Sequence, residues 1–143
     1  MTTLTPVDIV DRFYNRLWNR DERSLAPELL HPDLEFRGSV GLEVRGVEGF
    51  LGYMDRMLAT FPDFSTEVLQ LVDGADGTVV SRQMYRGTQQ GAFFDTPPTG
   101  RRIEYAGVGF FEFEGGRIRK IWVLGDLLGL YRQLGWQPAA PAA

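Results

Sequence analysis

Two periodicities divide the chain. In its first sixty residues apolar side chains recur at helical spacing; from Phe64 onward they alternate every second residue. Thr5-Pro6 marks a helix start, with Thr5 as the cap and Pro6 in the first turn. Ile9, Val10, Phe13 and Leu17 then carry one apolar face to about Asn19. A second, short helix is expected over Glu22–Leu30, bounded by Asp21 and His31-Pro32. Leu34–Phe36 reads as a short strand and Gly38–Gly41 as a loop. Val47–Thr60 reads as a third helix, with Phe50, Leu51, Met54, Met57 and Leu58 on or near one side. Strands are expected over Phe64–Val72, Thr78–Gln89, Arg102–Glu114 and Arg117–Leu124, with turns at Asp73–Gly77 and Gly115-Gly116. A loop with two prolines spans Gly91–Gly100. Asp126 opens a closing helix that stops near Gly135. The ends, 1–4 and 137–143, read as frayed tails.

Helices first, a meander of long strands, then one helix: that order predicts an α+β fold in one domain, 1–143, with helices covering one face of a curved antiparallel sheet. Such a sheet forms a cone whose mouth the helices close. At 143 residues the chain is long enough for a core and a small cavity. Net charge of −4 argues against a nucleic-acid partner, which calls for a basic stripe. No apolar run has the length of a membrane span and no signal peptide is visible, so a cytoplasmic location is expected. The absence of cysteine excludes thiolate chemistry, and a single histidine excludes a His-rich metal site. Aromatics make up 13% of residues, which suits a ring-rich core or an aromatic-lined pocket.

Alternation gives a view of the interior. In Arg102–Glu114, Ile103, Tyr105, Gly107, Gly109 and Phe111 share a face, and Glu104 and Glu112 mark the opposite face as outward. The glycines either permit curvature or leave room for a ligand beside Tyr105 and Phe111. Val80, Arg82, Met84 and Arg86 share a face of the preceding strand. An inward Arg82, or Arg37, must be paired: structurally with Asp33, Asp63 or Asp126, or functionally with a carbonyl or developing enolate. Asp126 stands where a helix needs a cap and is also the one plausible base nearby. His31 caps helix carbonyls or packs. Trp18, Met54, Met57 and Trp122 read as core residues, some of them at the cavity mouth.

Several segments, taken in order, resemble the SnoaL-like polyketide cyclases of the nuclear-transport-factor-2-like superfamily. They are His31-Pro32-Asp33, Phe36-Arg37-Gly38-Ser39, Phe61-Pro62-Asp63-Phe64, Pro98-Thr99-Gly100, Gly116-Arg117-Ile118 and the run from Trp122 to Gly135. The resemblance implies a cone-shaped α+β barrel, often paired through its outer sheet face, acting on small apolar molecules. It also implies that the acid–base Asp of the cyclases falls at Val123 and their His at Gly109, so both side chains are missing. The ketosteroid-isomerase base falls near Arg37 and its Tyr near Phe13, with Tyr14 adjacent. In the limonene-epoxide-hydrolase pattern Arg82 matches the Arg, and Met84 stands in place of the Asp.

The expected function is therefore a cyclase or isomerase without metal or organic cofactor, acting on an apolar carbonyl compound of polyketide or terpenoid kind. Asp126, Arg82 and Arg37 are the candidate catalytic residues. Tyr14, Leu17, Trp18, Met54, Met84, Tyr105, Gly109, Phe111, Trp122 and Val123 are the candidate ligand contacts. The alternatives are a non-catalytic binding protein of the same shape and a ring-opening hydrolase. A homodimer through the outer sheet face is expected, because Val108 and Phe110 would otherwise expose apolar area.

Overall fold

A computed structural model describes residues 3–136. Met1, Thr2 and the Pro/Ala-rich segment 137–143, both expected to be frayed, lie outside the described residues. Helix α1 (Pro6–Arg12) starts with a reciprocal cap: the Thr5 hydroxyl accepts from the Asp8 amide at 3.1 Å and the Asp8 carboxylate accepts from the Thr5 amide at 3.0 Å. The helix continues as a π-helical turn over Phe13–Trp18. That wider turn places Phe13 and Tyr14, then Leu17 and Trp18, all on the buried side. A 3₁₀ turn (Arg23–Leu25) leads into α2 (Ala26–Leu29).

Here the expected helix stops a residue early. Pro32 disfavours helical geometry at the residue before it, and strand β1 runs over Leu30–Arg37. His31 therefore lies in a strand and caps no helix: its Nε2 is 2.7 Å from Glu114 Oε2, and its Nδ1 accepts from the Asp33 amide. A short strand β2 (Glu43–Arg45) precedes α3 (Gly46–Thr60). The meander follows as β3 (Ser65–Asp73), β4 (Val79–Thr88), β5 (Arg102–Glu114) and β6 (Arg117–Gly125), and α4 (Leu127–Gln133) closes the chain.

The six strands form one sheet in the order β2-β1-β6-β5-β4-β3. Every neighbouring pair is antiparallel except β1 with β6, which is parallel. Irregular register in β1/β6, β3/β4 and β5/β6 bends the sheet around the helices. Ring-to-ring packing dominates the core: Phe13, Trp18, Phe36, Phe50, Tyr53 and Phe64 make edge-to-face contacts with neighbouring rings at centroid distances from 4.8 to 6.2 Å. Among the described residues no helix is long and apolar enough to cross a membrane.

Candidate functional site

The inward face of β4 carries Val79, Ser81, Gln83 and Tyr85, all buried. That of β5 carries Ile103, Tyr105, Gly107, Gly109 and Phe111, as the alternation predicted. Four of the chain's five tyrosines, Tyr14, Tyr53, Tyr85 and Tyr105, are buried in this interior. Their hydroxyls have polar company. Tyr14 Oη is 3.3 Å from Ser81 Oγ, Tyr105 Oη is 2.9 Å from Ser39 Oγ, and Gln83 Nε2 donates to Tyr85 Oη at 2.8 Å. Gln83 Oε1 is buried and has no hydrogen-bond partner among the described residues, an acceptor left open in a place where such groups are normally paired.

Burial keeps these phenols neutral. It pushes Tyr14 up to about 12, with the Ser81 hydroxyl opposing the rise. Tyr53 is likewise raised to about 12 by burial, partly offset by Ser39 and the backbone at Val40. Tyr85 and Tyr105 are raised further, again chiefly by burial. Neutral phenols donate hydrogen bonds and do not act as bases near neutral pH. Among the described residues the buried polar side chains other than tyrosine are Ser39, Thr66, Ser81, Gln83 and Gln89; no carboxylate, imidazole or cationic group is buried. Nor do three His, Asp or Glu side chains gather there in a way that would hold a metal ion.

A void of about 10 Å³, the size of a single water, lies at the centre of this cluster. Phe13, Tyr14, Trp18, Phe36, Ser39, Tyr53, Phe64, Tyr85 and Val123 line it. Of the residues expected to contact a ligand, Tyr14, Trp18 and Val123 are on this wall. Leu17, Met54, Tyr105, Gly109 and Phe111 are buried in the core but are not on this wall.

The structure corrects the remaining assignments. Arg82 and Met84 lie on the outer sheet face, because Ser81 and Gln83 take the inward positions; Arg82 Nε donates to Gln70 Oε1 at 3.4 Å. Trp122 is also outward, 5.9 Å from Phe110. Arg37, expected to be a candidate anion binder, is half-buried on β1 on the side opposite Phe36. It donates to the Val123 carbonyl oxygen and lies 5.2 Å from the centre of the Trp122 ring. Asp126 is exposed and accepts from the Gly129 amide at 3.0 Å, as a helix cap does. The three candidate catalytic residues are thus not brought together, and none faces the void.

Sequence reasoning missed Ser39, Tyr53, Ser81, Gln83 and Tyr85. One signal was available. Arg86 sits opposite Glu104 and pairs with it at 3.1 Å, so the charged face of β4 is the same outward face that the acids mark on β5.

A curved α+β cone with a buried cluster of aromatic hydroxyls defines a scaffold of the nuclear-transport-factor-2-like kind. The SnoaL-like polyketide cyclase family model matches residues 8–134, and the chain belongs to that family. Among solved structures it is similar to TsrD from Streptomyces laurentii, with 30% identity, 89% of this chain and 92% of that one covered, and a TM-score of 0.77. It is similar to IdmH from Streptomyces antibioticus, described as a candidate polyketide cyclase, with 29% identity, 93% and 100% coverage and a TM-score of 0.79. It is also similar to AclR from Streptomyces galilaeus, described as a candidate hydroxylase, with 29% identity, 87% and 81% coverage and a TM-score of 0.71. No curated protein matches the chain.

Proposed function

We propose that the chain is a cofactor-independent cyclase or isomerase of small, apolar, carbonyl-bearing compounds, and that its working groups are hydroxyls rather than a carboxylate–imidazole pair. The observation that carries this reading is the convergence of neutral Tyr14, Tyr53, Tyr85 and Tyr105 with Ser39, Ser81 and Gln83 inside an apolar shell. Fixed donors in a water-poor interior stabilise a carbonyl oxygen most as it gains negative charge. Since one family scaffold hosts differently described relatives, the site decides the reaction.

A closure that needs no buried base fits this inventory. The carbon of an enolised β-dicarbonyl attacks a second carbonyl of the same molecule. The new C–C bond takes the enol π pair, and the carbonyl π pair moves onto its oxygen. The enol O–H proton passes to that oxygen through a hydroxyl pair such as Tyr14–Ser81, each member of which both donates and accepts. Gln83 Oε1 supplies an acceptor for the enol hydroxyl before it transfers.

The absence of any buried acid–base group among the described residues favours a second reading, a non-catalytic binding protein for the same ligands. Closure of heptane-2,6-dione, a simple diketone that undergoes intramolecular aldol ring formation, and of an enolised triketone analogue distinguishes the two. Acceleration that falls at least tenfold in Tyr14→Phe supports catalysis. Saturable binding with no acceleration supports the binding protein, and neither binding nor acceleration overturns both readings.

We also propose that two copies pair through the outer sheet face, where Phe110, Trp122 and Leu124 are 42%, 36% and 53% exposed.

A further inference from the structure

Resting on that reading, a second space becomes significant. A void of about 10 Å³ admits no ligand, so the interior must open to be used. On the far side of Tyr53 lies a groove of about 350 Å³, within the range of small-molecule pockets. Its walls are Val40 and Leu42 from the loop after β1, Met57 and Thr60 from α3, and Phe93 and Phe94 from the loop before β5. Tyr53 is the one described residue that lines both spaces.

The tip of Tyr53 is parked against Gly38. A β-carbon at Gly38 would overlap its hydroxyl oxygen and Cζ and lie 2.8 Å from Cε2. The ring thus fills the volume that any larger residue at position 38 would occupy, and the hydroxyl rests near Ser39 and the Val40 backbone. Across the groove Phe94 adopts φ +51°, a left-handed conformation uncommon for a bulky residue, and the residue is 52% exposed. Such strain is retained where surrounding structure enforces it, often beside ligand sites.

We propose that Tyr53 is a gate between two halves of one ligand site. When its ring turns away from Gly38, the hydroxyl cluster and the groove join into one chamber. An elongated apolar ketone then places its carbonyl among Tyr14, Ser81 and Tyr85 and its tail between Met57 and Phe93. The groove is the tail subsite, and it sets how long a substrate the protein accepts.

Stopped-flow fluorescence with two naphthyl ketone probes, 6-acetyl- and 6-lauroyl-2-dimethylaminonaphthalene, tests this on the full chain. In the wild type the observed association rate should level off as probe is raised, because gate opening limits it. Tyr53→Phe loosens the tip while keeping the ring, and Gly38→Ala displaces it; each should raise that ceiling at least tenfold. If Gly38→Ala does not fold, Tyr53→Phe alone decides. Met57→Lys should weaken the lauroyl probe at least tenfold and the acetyl probe less than twofold. An unchanged ceiling in Tyr53→Phe overturns the gate, and equal loss of both probes in Met57→Lys overturns the tail subsite. Failure of the hydroxyl reading looks different. The gate kinetics would change as expected, while Tyr14→Phe combined with Tyr85→Phe would leave the emission of bound probe where it was.

Discussion

The sequence resemblance aligns Gly109 with the histidine of the polyketide cyclases, and the packing around Gly109 leaves no room for a side chain. A β-carbon at Gly109 would lie 2.8 Å from Ser81 Oγ, 2.9 Å from Phe111 Cε1 and 3.2 Å from Tyr14 Oη. All three neighbours are buried, so none moves aside into solvent. Forcing a methyl into a filled core costs about 1–3 kcal/mol. Replacing a strand glycine by alanine returns about 0.5–1 kcal/mol through the backbone. From the middle of the two ranges the net expectation for Gly109→Ala is a loss of about 1 kcal/mol. At 143 residues each kcal/mol corresponds to about 3 °C in Tm, so the melt should fall by about 3 °C. Gly109→His, which brings in a much larger side chain, should lose more. Gly52→Ala supplies the opposite sign: Gly52 is on the exposed side of α3 with nothing within 4 Å of its β-carbon, and a gain of about 0.5–1 kcal/mol is expected. Urea unfolding at matched conditions measures all three. A Gly109→Ala variant as stable as the wild type would refute the claim that the interior is filled at this point.

Three further outcomes are expected. Asp126→Ala should lower stability by about 1 kcal/mol through the lost helix cap and leave probe binding and any turnover unchanged; a selective loss of turnover would restore it as a catalytic group. Alkaline unfolding should be steep. Tyr14, Tyr53, Tyr85 and Tyr105 are raised when folded, so their stabilisation is complete below the unfolded value near 10 and is lost as pH climbs through about 12, the folded value of Tyr14 and Tyr53. Each such phenol contributes a slope of about 1.4 kcal/mol per pH unit in that window, and tyrosinate absorbance of these four should appear only together with loss of circular dichroism. Light scattering after size exclusion should give twice the monomer mass, and Phe110→Lys with Leu124→Lys should give the monomer; a wild-type monomer at micromolar concentration would contradict pairing through this face.

Much of the fold was legible because local signals agreed. Thr5-Pro6 opened α1, the acids on β5 set its faces, and Asp126 capped α4. Strand β4 misled because both of its faces carry polar residues. Its interior holds Ser81 and Gln83 while its exterior holds Arg82 and Arg86, so alternation alone did not orient it; the cross-strand register with Glu104 does. Three-residue β2 was too short to leave a periodic trace. The π-helical turn that buries both Phe13 and Tyr14 has no simple apolar spacing either. Whether an aromatic interior is hollow or filled depends on how the rings meet, which composition does not encode. That is why Leu17, Met54 and Phe111 read equally well as ligand contacts and as packing.

The central claim is that the buried hydroxyls, and not an acid–base pair, form the working site. The carbonyl stretching frequency of an aryl ketone bound to the protein tests it most directly. For the wild type the frequency should lie below that of the same ketone in hexane, moving back toward the hexane value in Tyr14→Phe and further when Tyr85→Phe is added. A bound ketone whose frequency is the same in wild type and in both variants would contradict it.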